Sequence, residues 1–385
     1  MTPPNNHAND YANDYANDYD AIVVGGGLAG LAMSRTLHRQ GVHHIVLERR
    51  DSVSNEGFAI NLPGNAIAAL DALGVGEALS RLGAPTRRRE YRDHRDRLLF
   101  EVDEDAFWGP RHRPRCVKRS ELMALLREGL PADTLQLASP VESIVAGAGA
   151  ATVATPDGRV FNGRLVVGAD GVHSRTRACA FPDTAVRSAV LSTSSWRFIA
   201  PDPGVDCWKV WAGPQALFLL IPLGNGEVYG WASDTAGAGG ATRDLAAVFA
   251  GFPAAVTKTV DFLMRHPDHI HHSPLAEVRM PAWSRERIVL IGDAAHATAP
   301  VWAQGGALAF EDAQALGAIL ADGGDWSDAG ARFDAARRER VGHVQAMTDK
   351  MSKAARLPAF LRNLLLPFVG PKNYAATYGP LRAAG

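Results

Sequence analysis

The sequence predicts an α/β fold built on a parallel sheet, with a mainly antiparallel β-sheet insert and helices near its C-terminal end. A continuous β-rich run at residues 21–24 leads through glycines into a helical pattern that ends near Gly41. Such runs are typical of strands buried on both faces of a parallel sheet. Similar strand-and-turn units follow at residues 165–170 and 288–293. Between them lie strand-like segments, of which the last two are joined by the turn signal Gly224-Asn225-Gly226: 191–200, 206–212, 215–223 and 227–233.

The composition is that of an ordinary folded protein and excludes several classes. Its 385 residues favour two or three domains, and 40 Lys and Arg against 41 Asp and Glu leave no positive excess for nucleic acid. The cysteines are far apart, at Cys116, Cys179 and Cys207, which argues against a disulfide framework and suits a reducing cytosol. No apolar run reaches the roughly 18 residues of a membrane span, and residues 1–20 lack a signal-peptide pattern. We therefore expect a cytoplasmic enzyme.

The N-terminal segment is a polar repeat. Ala-Asn-Asp-Tyr occurs three times in residues 8–19. Such a run cannot bury enough apolar surface to order itself, so we predict a disordered tail over residues 1–19.

The glycines after the first strand indicate a Rossmann-like dinucleotide site. Gly25, Gly27 and Gly30 fit G-x-G-x-x-G. In that motif the first glycine permits the turn, the second admits a pyrophosphate and the third lets helix and strand pack closely. Glu48 lies at the end of the second strand, 18 residues after Gly30, where it can accept hydrogen bonds from a ribose. NAD and FAD share this motif.

Further motifs bear on which of these two dinucleotides the protein binds. Residues 168–177 read Gly-Ala-Asp-Gly-Val-His-Ser-Arg-Thr-Arg, and residues 287–300 contain Ile-Gly-Asp-Ala-Ala-His; Gln304-Gly305-Gly306 and Glu311-Asp312-Ala313 follow. With these motifs the sequence resembles the single-component FAD-dependent aromatic hydroxylases, of the p-hydroxybenzoate and salicylate hydroxylase type, over residues 21–350. The resemblance implies bound FAD, NADPH or NADH as a transient co-substrate, O2, and a small aromatic substrate.

The resemblance also implies roles for individual residues. They form a pyrophosphate loop (Gly25, Gly27, Leu28, Ala29, Gly30), an adenosine site (Glu48, Arg49), an arginine against FAD (Arg119), an acid linked to FAD and the pyridine nucleotide (Asp170), a ribityl-chain acid (Asp293), and a loop and helix start beside the flavin ring (Pro300, Gly305, Gly306, Ala307). The family usually has glycine where this chain has Ala303, and Gly306-Ala307 also departs from its pattern. Backbone N–H groups at that helix start would stabilise negative charge on reduced flavin.

The insert is the expected substrate domain, because seven of its 36 residues from Trp196 to Trp231 are aromatic. An aromatic wall for a flat substrate and an ordinary sheet core are both open interpretations. The candidate substrate residues are Arg197, Trp211, Phe218, Tyr229 and Trp302. We assign no catalytic base, since the family makes His296 largely structural. We also predict no metal, since the histidines between 266 and 272 suit a solvated loop.

The resemblance implies a monooxygenase that hydroxylates an aromatic or heteroaromatic molecule through a flavin hydroperoxide. The alternatives are an epoxidase or Baeyer–Villiger enzyme, a non-catalytic member of the fold, and a halogenase, although its Trp-x-Trp-x-Ile-Pro segment is absent. We expect a monomer or homodimer, and for residues 357–369 a docking helix in preference to a membrane-touching one. The predicted domains are an FAD-binding domain (20–84, 114–184 and 278–330), a substrate domain (85–113 and 185–277) and a C-terminal helical segment (331–385).

Overall fold

The computed structural model describes residues 18–52, 58–147, 149–184, 187–188, 194–234, 245–273, 275–354 and 357–382. The strands are β1 (Tyr19–Val24), β2 (His44–Leu47), β3 (Ala59–Leu62), β4 (Ala84–Pro85), β5 (Arg88–Asp93), β6 (Leu98–Asp103), β7 (Arg115–Lys118), β8 (Leu135–Gln136), β9 (Ser143–Ala146), β10 (Ala151–Ala154), β11 (Val160–Gly168), β12 (Arg187–Ser188), β13 (Ser194–Pro201), β14 (Trp208–Ala212), β15 (Ala216–Gly224), β16 (Glu227–Asp234), β17 (Ile270–Ser273), β18 (Ala276–Glu277), β19 (Ser284–Arg285) and β20 (Ile288–Leu290). The α-helices are α1 (Leu28–Arg39), α2 (Gly64–Ala72), α3 (Gly76–Leu79), α4 (Glu104–Trp108), α5 (Arg119–Arg127), α6 (Arg175–Ala180), α7 (Leu245–Phe249), α8 (Ala254–Arg265), α9 (Asp293–His296), α10 (Gln304–Ala321), α11 (Ala329–Ala354) and α12 (Ala359–Tyr378).

The first sheet has the order β19-β20-β11-β1-β2-β8, with β10 and β9 attached to the outer part of β11. Its centre is parallel: β1 pairs with β2 and β11, and β11 pairs with β20. Residues 21–24 are buried, as expected where helices cover both faces. The predicted α/β fold is confirmed, and the carboxyl ends of β1, β2 and β20 lead into the predicted cofactor motifs.

The second sheet has the order β17-β13-β16-β15-β14-β5-β6 and lies within the segments predicted as the second domain. Its pairs are antiparallel except that β14 runs parallel to β5. The predicted turn joins β15 to β16 with Asn225 at φ 53° and Gly226 at φ 74°. These positive values suit the right-handed twist of a tight hairpin. The division into domains stays our proposal.

The C-terminal helices connect the two sheets. α11 packs on α10 of the first domain, whereas α12 packs on β6 of the second sheet. The sequence predicts a helical pattern over 330–369 with a Pro-interrupted end. In the structure α12 starts after Pro358 and continues through Pro367 and Pro371 to Tyr378. In the described part of the chain, no helix is both long and apolar enough to cross a bilayer.

The predicted disordered tail falls mostly outside the described residues, which begin at Asp18. Its boundary is wrong at Tyr19, which is the first residue of β1 and pairs with Gly163. The Tyr19 ring stacks on His43 with ring centres 5.0 Å apart. The strand therefore begins two residues before the apolar run at residues 21–24 that predicted it.

Candidate active site

The glycine loop after β1 has the geometry of a phosphate cradle. Gly25 has φ 106°, and a Cβ added there would lie 2.6 Å from the carbonyl oxygen of Ala169. A Cβ at Gly30 would lie 1.8 Å from the carbonyl oxygen of Gly25. At Gly27, in contrast, an added Cβ meets nothing within 4 Å. The backbone is therefore tightly packed except at the start of α1, where its free N–H groups are open to an anion.

Glu48 holds this loop from the neighbouring strand. Its carboxylate accepts hydrogen bonds from the N–H of Gly26 at 2.7 Å and from that of Arg50 at 3.0 Å. The half-buried carboxylate thus lies beside the open loop, as a ribose ligand must, and Arg49 next to it is exposed. We propose that Leu28, Ala29 and these residues bind the adenosine half of FAD.

A second group of predicted residues meets across a cavity of about 650 Å³. Asp293, the first residue of α9, is exposed to it, and Arg119 lies on the cavity wall from the start of α5. Enclosure by protein lowers the pKa of Arg119, whereas the nearby Asp293 carboxylate raises it. Gly305 and Gly306, in the first turn of α10, complete this side. The open helix start and the acid beside it fit the ring and ribityl chain of a flavin.

The turn before α10 is built from the predicted Pro300 and Trp302, which both line the cavity. Ala303 follows with φ 53°, a left-handed conformation that glycine adopts more easily. The departure from the family pattern at Ala303 is therefore accommodated with some backbone strain. The side chain of Ala307 is fully buried and does not line the cavity.

Asp170 is close to the glycine loop, but its carboxylate bonds to residues just after it in the chain. Its carboxylate accepts hydrogen bonds from the Ser174 hydroxyl and from the N–H and hydroxyl of Thr176. These bonds fix the turn that enters α6. Val172 and His173, two and three residues later, line the cavity instead. A contact of Asp170 with a cofactor stays a prediction.

The second sheet supplies the opposite wall through alternate residues of its strands. The cavity-facing side chains are Arg197, Trp208, Val210, Leu217, Leu219, Ile221, Tyr229 and Trp231. Burial raises the pKa of Tyr229 to about 12, although Arg197 and Arg119 lower it. Its hydroxyl is therefore a neutral hydrogen-bond donor at physiological pH. The sheet thus offers a cation, a hydroxyl and aromatic surface to one ligand.

The prediction that Trp211 and Phe218 line the substrate wall is wrong. Both side chains are on the other face of the sheet, 2% and 0% exposed, in a core formed with α7 and α8. The physical reason is the two-residue period of a strand, which sends Phe218 away from the cavity between Leu217 and Leu219. The indole N–H of Trp211 instead donates to Asp96 at 2.7 Å.

A pair of substitutions tests this assignment of faces. Phe218→Ala should lower the free energy of unfolding by about 3 to 5 kcal/mol, because it leaves a hole in the core. Its effect on KM should be small. Trp231→Ala, across the sheet, should raise KM several-fold and change stability much less. Urea denaturation and steady-state kinetics on both variants measure the four quantities. If Phe218→Ala were the variant that raised KM, the face assignment would be contradicted.

A buried ionic network fixes the loop that carries Asp293. Asp312 accepts hydrogen bonds from the N–H of Gly292 at 2.9 Å, His296 Nε2 at 2.7 Å and Arg337 Nε at 2.8 Å. Burial alone would raise the pKa of Asp312, but His296 and Arg337 lower it to about 2. His296, predicted as largely structural, is 2% exposed and lies in this network.

The same network reaches the start of α10. Arg337 also donates to Glu311, whose carboxylate accepts from Asn65 as well. Asn65 in turn exchanges hydrogen bonds with the Gln304 amide at 3.0 and 3.1 Å. Gln304, the first residue of α10, is therefore fixed by hydrogen bonds to a buried polar group. Glu311 and Asp312 belong to a motif that is recognisable in the sequence. Asn65 and Arg337 lie in no such motif, so their part in the network could not be predicted.

Sequence reasoning missed a second ion pair at the cavity. Arg89, 3% exposed, pairs with the fully buried Glu104, and Tyr374 of α12 donates to the same carboxylate at 2.6 Å. The Arg89 guanidinium lies 5.1 Å from the Trp208 ring centre and lines the cavity. In the sequence Arg89 ends a run of three arginines, Arg87–Arg89, and this run does not identify a partner.

Within the described residues, one cluster brings potential metal ligands together: Glu90, Asp206 and Cys207. Lys209 contacts Asp206 at 2.7 Å and Glu90 at 3.6 Å, and Arg88 contacts both carboxylates. Burial raises the pKa of the Cys207 thiol to about 11. The cluster is a compensated ion-pair group, and we assign it no metal.

A Rossmann-like loop, a cavity with an open helix start, and an aromatic sheet wall together define the class of flavoprotein monooxygenases. The chain belongs to the FAD binding domain family, whose model matches residues 18–351. It is an FAD-dependent monooxygenase.

Known relatives support this conclusion. The chain is 30% identical over 304 residues to a 2-heptyl-3-hydroxy-4(1H)-quinolone synthase of Pseudomonas aeruginosa, covering 76% of this chain and 78% of the relative. It is 30% identical over 335 residues to an FAD-dependent urate hydroxylase of Klebsiella pneumoniae, covering 83% and 86%. The crystal structure of Klebsiella pneumoniae HpxO with FAD and uric acid matches with a TM-score of 0.78 at 26% identity, over 94% of this chain and 92% of that one.

Proposed function

We propose that the substrate is a planar, largely apolar heteroaromatic compound that carries a ring oxygen function, such as a 4-quinolone. The observation that carries this proposal is the composition of the cavity of about 650 Å³. Its sheet wall is mainly aliphatic and aromatic, with Arg89, Arg197 and Tyr229 among its polar groups. A purine such as urate has polar groups around its whole edge and would leave many of them unpaired there.

Each side of the cavity has its own role in the proposed reaction. FAD bound here and reduced by NAD(P)H would supply the two electrons that activate O2, so that one oxygen atom enters the substrate and the other leaves as water. The N–H groups at the start of α10 stabilise negative charge beside the flavin ring without adding a group that titrates. Arg197 and the neutral hydroxyl of Tyr229 bind the substrate's oxygen function and orient its ring. The wall from Trp208 to Trp231 excludes water.

We further propose that NADH or NADPH binds only transiently. The strands of the described residues carry one glycine-rich loop of the G-x-G-x-x-G type, after β1. The nicotinamide must therefore reach the flavin through the shared cavity or its rim. The rate of flavin reduction by NADH and by NADPH measures which of the two the enzyme uses.

Arg197→Ala tests the role assigned to the sheet wall. We expect the Kd for the substrate to rise about 10- to 100-fold, because a charge-assisted hydrogen bond is lost. Spectral titration of the FAD-loaded enzyme with 4-quinolones, urate, phenols and aromatic acids measures it. Arg265→Ala is the matched control, since Arg265 lies on α8, away from the cavity.

The panel separates the outcomes. Tight binding of a quinolone that weakens in Arg197→Ala but not in Arg265→Ala supports the proposal. Tight binding of urate instead would assign a purine substrate. Unchanged affinity in Arg197→Ala, with normal FAD content, would contradict the role of Arg197.

A further inference from the structure

The helix α12 leaves an unusual surface uncovered. Most of the large hydrophobic side chains that are exposed in the described residues lie on it or just before it: Leu357, Phe360, Leu364, Leu365, Phe368 and Val369. Phe360 is 77% exposed and Phe368 72%. We call the face of α12 that contains Phe360, Leu364 and Phe368 the outer face. These residues are spaced by four, so they lie on one side of the helix.

The exposure is a property of a firmly placed helix. On the inner face, the Arg362 guanidinium donates to the carbonyl oxygen of Gly213 at 2.6 Å. A Cβ added at Gly370 would lie 2.4 Å from the Phe100 ring, so α12 packs closely on β6. Tyr374 donates to the buried Glu104. The inner face therefore cannot turn outward, and the outer face stays in contact with solvent.

The charged side chains of the segment that carries this face all have one sign. Residues 350–385 contain six Lys and Arg and no Asp or Glu. Lys350, Lys353 and Lys372 are exposed at the two ends of the exposed apolar stretch. Exposed Phe and Leu flanked by cations are typical of helices that lie in the interface of an anionic bilayer. A second copy of the chain would bring like charges together, which disfavours self-association through this face.

We propose that the outer face of α12 docks the protein on an anionic lipid bilayer. The helix lies parallel to the surface, Phe360, Leu364 and Phe368 enter the acyl boundary, and the lysines contact lipid headgroups. Leu366 and Asn373 of the same helix line the active-site cavity. Docking therefore places one cavity wall at the bilayer surface, where an apolar aromatic substrate partitions. The docking itself does not depend on which substrate is used.

Flotation of the full-length, FAD-loaded protein with vesicles tests this proposal. One set of vesicles contains phosphatidylcholine alone and the other contains phosphatidylglycerol as well. We expect binding to the anionic vesicles that weakens with added salt, and little binding to the neutral ones. The variant Phe360→Ser/Leu364→Ser/Phe368→Ser should reduce the partition coefficient by about 100-fold. The variant Lys350→Gln/Lys353→Gln/Lys372→Gln should reduce it by about 100-fold on anionic vesicles.

The matched control is Val145→Ser/Met264→Ser, which removes exposed apolar side chains elsewhere, 70% and 47% exposed, and should bind vesicles like the wild type. FAD content and Tm establish that each variant is folded. No binding of the wild type to anionic vesicles, or full binding by the apolar-face variant, overturns the proposal. A wild-type dimer in sedimentation that the apolar-face variant converts to a monomer would assign the face to a second copy and also overturn it.

Discussion

Replacing Gly27 by valine should abolish FAD binding while leaving the fold intact. The position has φ −79°, which valine adopts, and an added Cβ meets no protein atom within 4 Å. The side chain would instead fill the space beside the start of α1 that the pyrophosphate needs. We expect the Kd for FAD to rise at least about 100-fold, or about 2.8 kcal/mol. Isothermal titration of the apoprotein with FAD measures this change.

Two further glycines serve as controls. Gly342→Val, on α11, also adds a side chain in open space, far along the chain from the loop, and should leave FAD affinity unchanged. Gly30→Val should lower the Tm strongly, since its Cβ would lie 1.8 Å from the Gly25 carbonyl oxygen. Tight FAD binding by Gly27→Val would contradict the assignment of the pyrophosphate site.

Arg337→Met should lower the free energy of unfolding strongly. It removes the cation that lies between Asp312 and Glu311, which leaves His296 beside Asp312 and Arg340 beside Glu311. Breaking a buried ion pair from one side costs about 3 to 5 kcal/mol. Because the network holds the Asp293 loop and the start of α10, FAD should also bind more weakly. Arg332→Met, on the same helix, removes an exposed pair with Asp322 and should cost no more than about 1 kcal/mol. Urea denaturation distinguishes the two variants.

The same network gives the stability a defined acid dependence. The pKa of Asp312 is about 2 in the folded protein, against about 3.9 in an unfolded chain. The unfolded state therefore takes up the proton first as the pH falls. The stabilisation is complete above about pH 4 and is lost between about pH 4 and 2, by roughly 2 to 3 kcal/mol. Asp312→Asn should be less stable at neutral pH and should lack this part of the pH dependence.

Much of the cofactor side could be predicted because its signals are local. A buried strand, a glycine turn and a helix follow one another within residues 21–40, so the loop geometry depends on few distant contacts. The β15–β16 turn was predictable for the same reason, since Asn225-Gly226 fits the positive φ values of a tight hairpin. The helix start expected near Gly305 corresponds to that of α10, Gln304–Ala321.

The substrate side could not be predicted to the same depth. In β15 both faces are apolar, with Leu217 and Leu219 on one side and Phe218 on the other. Which face is core depends on α7 and α8, which come from a later part of the chain. The Arg89–Glu104 pair is completed by Tyr374, 270 residues after Glu104. Contacts of that range leave no periodicity in the sequence.

One cavity joins the flavin side, next to the first sheet, to the aromatic wall of the second sheet. The most direct test is the rate of anaerobic flavin reduction by NADPH and by NADH, with and without quinolones, phenols and aromatic acids. We expect one planar ring compound to accelerate reduction strongly in the wild type, with saturation shifted to higher concentration in Trp231→Ala. Acceleration by such a compound with identical saturation in Trp231→Ala would contradict a ligand site between the two walls.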